Sequence, residues 1–537
     1  MYKEKYEYYI NLLEDYADNI LDIACRENGE EVLFANGIHL KTKKLACWRF
    51  ENGDEVCISN LALQQNLLRA FIGLSRLTGN DKYETKAKLA VKCYFDKYQH
   101  ASGLLHWGGH RFVDYNRSHV VGIRDKKGAV HELKECFPYY ELMFDVDRKA
   151  AREYVRAFWN AHMLKWPTLE INRHGYYENK ETILWANNFE SPKPFREVSG
   201  LSFMNAGDDL IFAAGELFKY TKENGALIWM TRMVRQYVKA RNEETQLGAY
   251  QYNQAFKICE APSDEDTQSK YGDRAFRQLG DDFKDEALEG KMILPDQALS
   301  IYYHCAVVWT KLGKSIGPFG KELIEYARSG MKAFAKYAYK EECNEFIPLL
   351  SNGVSLDGYV LKKDGYYGKK GQVLNRIKAD ERFLYSYVVV YCETQDEELW
   401  KIIRSIGLNL GFGDLGDKLG KHIEINENVA SYSEQGALAA IELYKHLGNQ
   451  AYLDLAIEIA DNIISKRYID KLFVKKHDSK YADFDSACPL AFLEICAAIG
   501  NSKVILPEYM TGEAYIHGRY KLNDGIVKSF TTKEMFQ

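Results

Sequence analysis

The chain has 537 residues, a hydrophobic fraction of 46% and a formal charge of −5. That balance leaves no positive surplus to displace counterions from nucleic acid, so general nucleic-acid binding is not expected. No apolar stretch reaches the ~20 residues that a membrane crossing needs, and none is expected. The opening MYKEKYEYYINLLEDYADNI lacks the basic-then-apolar pattern of an export signal, so a cytoplasmic location is expected.

In chain order, a first helix is predicted around residues 2–26. FANGIHL and WRFENGDEVCIS (34–59) read as short strands with Asn-Gly turns. LLRAFIGLSRLTGNDKYETKAKLAVKCYF (67–95) follows as a helix hairpin, in which Gly-Asn stops the first helix. Residues 100–130 are rich in Gly and His. Looser hairpins are predicted at 139–163 and 201–240, then a polar irregular stretch at 242–292, then hairpins at 294–339 and 380–408. The segment FIPLLSNGVSLDGYVLKKDGYYGKKGQVL (346–374) reads as turns and short strands. LAAIELYKHLGNQAYLDLAIEIADNII (438–464) repeats the 67–95 pattern, and a last helix is predicted around 483–499, before a C-terminal tail at 503–537. In every hairpin apolar residues recur at three- and four-residue steps.

The first and last helices have no neighbour in sequence. If they pair, they supply a seventh hairpin and leave no apolar end exposed. The expected fold is therefore all-α: an (α/α)7 toroid of helix hairpins with short β-hairpin excursions at its rim, formed as a single domain over residues 1–537. An open helical solenoid is the alternative. The 11 cysteines are scattered, with no CxxC pair, and are expected to be reduced thiols.

Six of the 13 histidines lie between positions 106 and 174. His106 and His110 are four apart, but Gly108 and Gly109 between them disfavour a helical clamp. HELKE lacks the second histidine of a zinc-protease motif. What remains is a dispersed set: His106, His110, His131, Glu132, His162 and His174. Two imidazoles and one carboxylate suit Mn, Fe, Co, Ni or Zn better than Ca, although each histidine taken singly also fits a hydrogen-bonded packing role. Arg173 directly precedes His174, and the following Gly175 suggests a loop from which both side chains could address one cavity. Arg111, Arg117, Arg124, Lys126, Lys127, Lys134 and Arg196 concentrate positive charge that would suit a polyanionic sugar; a solvated loop is the plain alternative. GFGDLG (411–416) matches a dinucleotide fingerprint only formally, because no βαβ unit surrounds it. Asp208 and Asp209 could supply a general acid for a glycoside hydrolase, but no second carboxylate can be paired with them, and a role in stabilising the first turn of a helix is preferred.

The stretches WGGHRFVDY, VHELKECFPYYELMFDVD, AFWNAHMLKW and INRHGYY, in this order and spacing, resemble family 2 of the polysaccharide lyases, the pectate lyases. SGLSFMNAGDDLIFAAGEL, SKYGDRAFRQLG, SLDGYVLKKDGYYGKKG and FDSACPLAFL extend the resemblance over most of the chain. The resemblance implies an (α/α)7 toroid and a transition-metal site of two histidines and one glutamate. By the HELK and RHG motifs these are Glu132 and His174, with His110 of WGGH as the first histidine and His106 as the fallback. It implies Arg173 as the Brønsted base, and manganese as the ion, with cobalt or nickel as alternatives. Trp107 and Arg196 are the expected sugar contacts. The implied substrate is an oligogalacturonide, cleaved by β-elimination from a chain end to give unsaturated digalacturonate. Because a guanidinium normally keeps its proton, such a base predicts an alkaline rate optimum. Three rivals remain: a metal-free hydrolase of uronides using Asp208 or Asp209, a non-catalytic helical-repeat scaffold, and a lyase acting on another uronide.

Overall fold

The computed structural model describes residues 2–125, 128–179, 183–256, 272–512 and 515–535. Lys126 and Lys127, and part of the irregular stretch expected at 242–292, lie outside the described residues.

Amphipathic periodicity builds the helices where the sequence places them. Helix α1 (Tyr2–Ala24) buries Tyr9, Leu12, Leu13, Tyr16 and Ile20 along one face. Helices α2 (Gln65–Thr78) and α3 (Lys82–Tyr98) follow, and α2 ends at Gly79 with φ 76°. That left-handed turn carries no Cβ penalty for glycine. Next come α4 (Tyr140–Val146), α5 (Arg148–His162), α6 (Met204–Thr221), α7 (Asn224–Lys239) and α8 (Arg274–Phe283). Helix α9 (Pro295–Leu299) runs through a π-helical stretch, Ser300–Cys305, into α10 (Ala306–Ser315). The series closes with α11 (Lys321–Ala338), α12 (Glu381–Thr394), α13 (Glu397–Asn409), α14 (Glu434–Leu447), α15 (Gln450–Arg467) and α16 (Cys488–Ile499).

The chain, expected as a single domain, divides into two compact units. The first comprises Met1–Ala161, His174–Lys180 and Ile423–Gln537; the second comprises His162–Arg173 and Glu181–His422. In the first unit α2 packs on α3, α4 precedes α5, and α14 packs on α15. Helix α1 packs against α16, which also touches α2 and α14, so the two ends of the chain meet inside one continuous helical layer. In the second unit the pairs are α6 with α7, α10 with α11, and α12 with α13, and α10 also packs on α6 and α12. Among the described residues six helix pairs pack as hairpins, with α4 and α5 consecutive where the remaining hairpin was expected, and the chain has an all-α fold of the (α/α) hairpin class.

The β-structure is more extensive than the expected excursions. Strands β1 (Cys47–Arg49), β2 (Glu55–Ser59), β3 (Arg111–Asp114) and β4 (His119–Gly122) form one antiparallel sheet in that order. The 34–59 segment is therefore joined to the Gly/His-rich stretch, with Ile58 opposite Asp114. A second sheet is made by β5 (Arg124–Asp125), β6 (Gly128–His131) and β7 (Gly175–Tyr176), with β6 in the middle. The expected C-terminal tail is also folded. Its hairpin, β8 (His517–Lys521) and β9 (Val527–Thr531), sends Ile516, Tyr520, Leu522 and Phe530 into a core shared with Phe50, Val56, Ile58 and Phe112. The alternation along β8, Tyr520 inward and Arg519 outward, is the period-two pattern of a half-buried strand.

One cysteine expectation is corrected. Cys47 and Cys57 stand opposite each other on β1 and β2 and are joined as a disulfide; direct cross-strand neighbours have the closest Cβ approach a sheet offers. The GFGDLG stretch is a turn after α13 in which Gly411, Gly413 and Gly416 all have positive φ, which reverses the chain and needs no phosphate to explain it. No helix among the described residues is long and apolar enough to cross a membrane.

Candidate metal centre

Three short segments of the first unit converge on one point. Strand β6 ends at His131, so Glu132 emerges from its tip. Strand β7 pairs with it in antiparallel register, Gly175 opposite His131, which brings His174 beside Glu132. His110 arrives from the loop before β3. Asn60 clamps that loop: the Gly108 N–H donates to Asn60 Oδ1 (3.1 Å), and Asn60 Nδ2 donates to the carbonyls of Gly108 (2.8 Å) and Arg111 (3.2 Å). The Gly109 N–H donates to the Glu132 carbonyl at 2.6 Å. Gly108 has φ 95°, and a Cβ there would lie 2.2 Å from the Glu132 carbonyl oxygen. The two glycines thus let one ligand's loop lie directly on the backbone of another ligand.

The result is a compact donor set. His110 Nε2 is 2.9 Å from Glu132 Oε2 and 3.1 Å from His174 Nε2, while His174 Nε2 is 3.7 Å from Glu132 Oε1. Taken as ligand atoms, all three groups fall within 4.8 Å of one another. His110 Nδ1 faces the backbone carbonyl of His517 at 2.9 Å. A carbonyl only accepts, so Nδ1 donates to it, and this bond fixes the ring with Nε2 turned toward Glu132 and His174, where it can serve as a ligand atom. The carbonyl is held in turn by the His517 N–H, which donates to Gly109 O at 2.8 Å. Two nitrogens 3.1 Å apart could both reach one ion at the usual metal–nitrogen distance of about 2.1 Å. The residues fit a divalent transition metal, and the expected trio His110, Glu132 and His174 is the one brought together.

The other histidines have different work. The His106 ring stacks on Tyr177 (4.9 Å, 19°), and its Nδ1 accepts from Arg111 Nε at 3.2 Å. Burial, then the Arg111 charge, pushes its pKa down to about 3, so it is a neutral packing residue and the fallback assignment is set aside. His131 is buried against the rings of Tyr154, Phe158 and Tyr177. His162, in the second unit, donates from Nδ1 to the Asn172 carbonyl (2.8 Å), and the Asn172 N–H returns a bond to His162 O (3.0 Å). It braces the strand that leads into Arg173. Arg173 sits in a bend, as expected, with its guanidinium 5.5 Å from the Phe203 ring centroid.

Of the two expected sugar contacts, Trp107 is corrected, while Arg196 keeps 44% of its side chain exposed. Trp107 has no exposed surface and donates its indole N–H to the Tyr154 hydroxyl; it packs the ligand loop onto α5 and offers no face to a sugar. Arg196 is engaged by the buried carboxylate of Glu170, which also draws in Lys165. Much of the cationic cluster is likewise balanced internally: Arg117 by Asp114 and Arg124 by Glu178. Lys134 is different, standing 3.2 Å from the ligand Glu132.

Asp208 is fully buried inside α6 and accepts the Trp309 indole N–H at 2.7 Å. It lies beyond the first helical turn, so the expected N-terminal role does not apply. Burial holds its pKa well above the usual carboxylate range. A carboxyl protonated in the folded state and ionised in the unfolded state loses stability as pH rises above its unfolded pKa. Asp208→Asn is therefore expected to raise the melting temperature more at pH 8 than at pH 4, with turnover retained. A scan series at both pH values checks this; an equal effect at both would contradict it.

The fold and the donor set define a class: an all-α helix-hairpin protein with two histidines and one carboxylate placed to hold a cation. The chain matches the family described as periplasmic pectate lyase over residues 31–519, and it belongs to that family. It is 31% identical over 500 residues to the pectate disaccharide-lyase of Dickeya dadantii (strain 3937), a match covering 91% of this chain and 89% of that one. Solved structures resemble it loosely. A GH76 alpha-mannanase from Bacteroides thetaiotaomicron is 8% identical with TM-score 0.42, covering 92% of this chain and 96% of that one. The cellobiose 2-epimerase from Bacillus thermoamylovorans is 9% identical with TM-score 0.42, covering 92% and 100%. Neither likeness is close enough to bear on the site.

Proposed function

We propose that the protein is a pectate lyase that cleaves α-1,4-linked galacturonides by β-elimination, releasing unsaturated digalacturonate from a chain end, with manganese as its ion. The observation that carries this is the convergence of His110, Glu132 and His174 on one point, with Arg173 the residue next to His174. The chain-end preference and the disaccharide product are supported by the name of the Dickeya relative. Manganese is supported by the mixed nitrogen-oxygen donor set.

A divalent cation held here would neutralise the uronate carboxylate and so acidify the C5 proton beside it. The chain's own residues do the rest. His110 and His174 turn their Nε2 atoms inward, and Glu132 supplies the anionic oxygen that fixes the third position. Arg173, once its side chain has given a proton to solvent, takes the C5 proton on the neutral guanidine, which accords with an alkaline rate optimum. The electron pair of the C5–H bond becomes the C4=C5 double bond as the C4–O bond breaks, and the departing glycosidic oxygen takes up a proton. The new alkene is conjugated with the carboxylate and absorbs in the ultraviolet.

The test is absorbance growth on trigalacturonate and polygalacturonate with manganese supplied, followed by sizing of the products. Unsaturated dimer accumulating from the start is the expected result. Saturated products would point to hydrolysis, and rapid loss of polymer viscosity would overturn chain-end attack.

A further inference from the structure

The Lys134 side chain reaches the ligand carboxylate. Its Nζ lies 3.2 Å from Glu132 Oε2, the same oxygen that faces His110 Nε2 at 2.9 Å. The side chain is 13% exposed, and the carboxylate it meets is 2% exposed. Its stem passes over the ligand loop, so that a Cβ on Gly109 would stand 3.4 Å from Lys134 Cδ and Cε. The ammonium also lies 4.2 Å from the centroid of the Tyr515 ring, which Lys533 approaches at the same distance. The backbone adds a second, independent sign. Lys134 has φ 63° and Glu135 φ 57°, two successive non-glycine residues in the left-handed region that begin two residues after Glu132. Such conformations cost about 1–3 kcal/mol each and persist where the surroundings impose them, commonly at functional sites.

We propose that Lys134 is an internal stand-in for the metal: its ammonium neutralises Glu132 when no cation is present, competes with the cation for Glu132 Oε2, and thereby sets the affinity of the site. A buried carboxylate facing two imidazoles is unfavourable without a counter-charge, and Lys134 supplies one. When a divalent ion takes the oxygen, like-charge repulsion drives the ammonium off Glu132. Its remaining anchor is the Tyr515 ring face, where a cation is still attracted. Lys134 is thus a positioning residue that acts through Glu132. Resting on the pectate-lyase reading, a further consequence is that the displaced ammonium becomes available to a galacturonate carboxylate.

The experiment is calorimetric titration of the chelator-stripped full chain with Mn2+, for the wild type, Lys134→Met and Lys134→Arg, with melting curves of each metal-free form. Lys134→Met is expected to bind Mn2+ about ten-fold more tightly while its metal-free form melts at a lower temperature. Lys134→Arg, which keeps the charge, should stay near wild type in both. A merely structural lysine would weaken both properties together, so unchanged or weaker Mn2+ binding in Lys134→Met overturns the proposal. If that variant does not fold, Lys134→Gln is titrated in its place under the same criterion. A KM for trigalacturonate that rises in Lys134→Met supports the substrate consequence. An unchanged KM removes that consequence alone, and a wild type inactive on galacturonides removes the functional reading while the titration still decides the competition.

Discussion

Arg173→Ala is expected to lower kcat on trigalacturonate by about a thousand-fold, within the range that a positioned base contributes, while leaving Mn2+ affinity unchanged. The two readouts separate because the arginine carries no metal contact in the proposed scheme and is instead anchored in the second unit, over Phe203 and behind the His162–Asn172 brace. Arg173→Lys should not rescue: an ammonium is a point charge on a differently shaped stem, and it does not reproduce the guanidine's planar reach. Steady-state kinetics at saturating metal, paired with calorimetry, decides the matter. An alanine variant that keeps more than a tenth of wild-type turnover would remove Arg173 from the chemistry and leave the metal centre without its assigned base.

Glu132→Gln carries the second large effect. The substitution keeps shape and one oxygen but discards the charge, at the single anionic ligand of the trio. Losses among groups that merely orient a ligand already weaken metal binding by about 10–100-fold, so loss of the ligand charge itself should exceed a hundred-fold in Mn2+ affinity. Turnover should disappear at stoichiometric metal. In the wild type, exhaustive chelation should abolish turnover, and added Mn or Co should restore it. Activity that survives chelation would favour a metal-free mechanism and undo the assignment of all three ligands.

The helices were legible in the sequence because their signals are local. Three- and four-residue apolar spacing and the Gly79 and Gly448 stops mark hairpins without reference to anything distant. The pairing of α1 with α16 was legible too, since two unpartnered amphipathic helices leave few ways to bury their faces. The metal trio was only half visible. Spacing left His106, His110, His131 and His162 as equals, and what separates them is long-range: the strand register that sets His174 beside Glu132, and the aromatic surroundings that make His106 and His131 packing residues. Trp107, expected as a sugar contact, instead fills the space under the ligand loop, because its burial is set by Tyr154 on the distant α5. The disulfide escaped because Cys47 and Cys57 carry no spacing motif and meet only through the pairing of β1 with β2. His517 could not have been found at all, because its contribution is a backbone carbonyl that any residue would provide.

That carbonyl has a consequence for the order of events in biogenesis. The first histidine of the trio is synthesised at position 110, yet the group that aims its ring comes from position 517, 407 residues later. During synthesis the ion's binding place therefore stays unfinished until the β8–β9 hairpin has emerged and seated. Metal capture becomes a late event, and a nascent or prematurely ended chain would hold its ion poorly even with all three ligands already made.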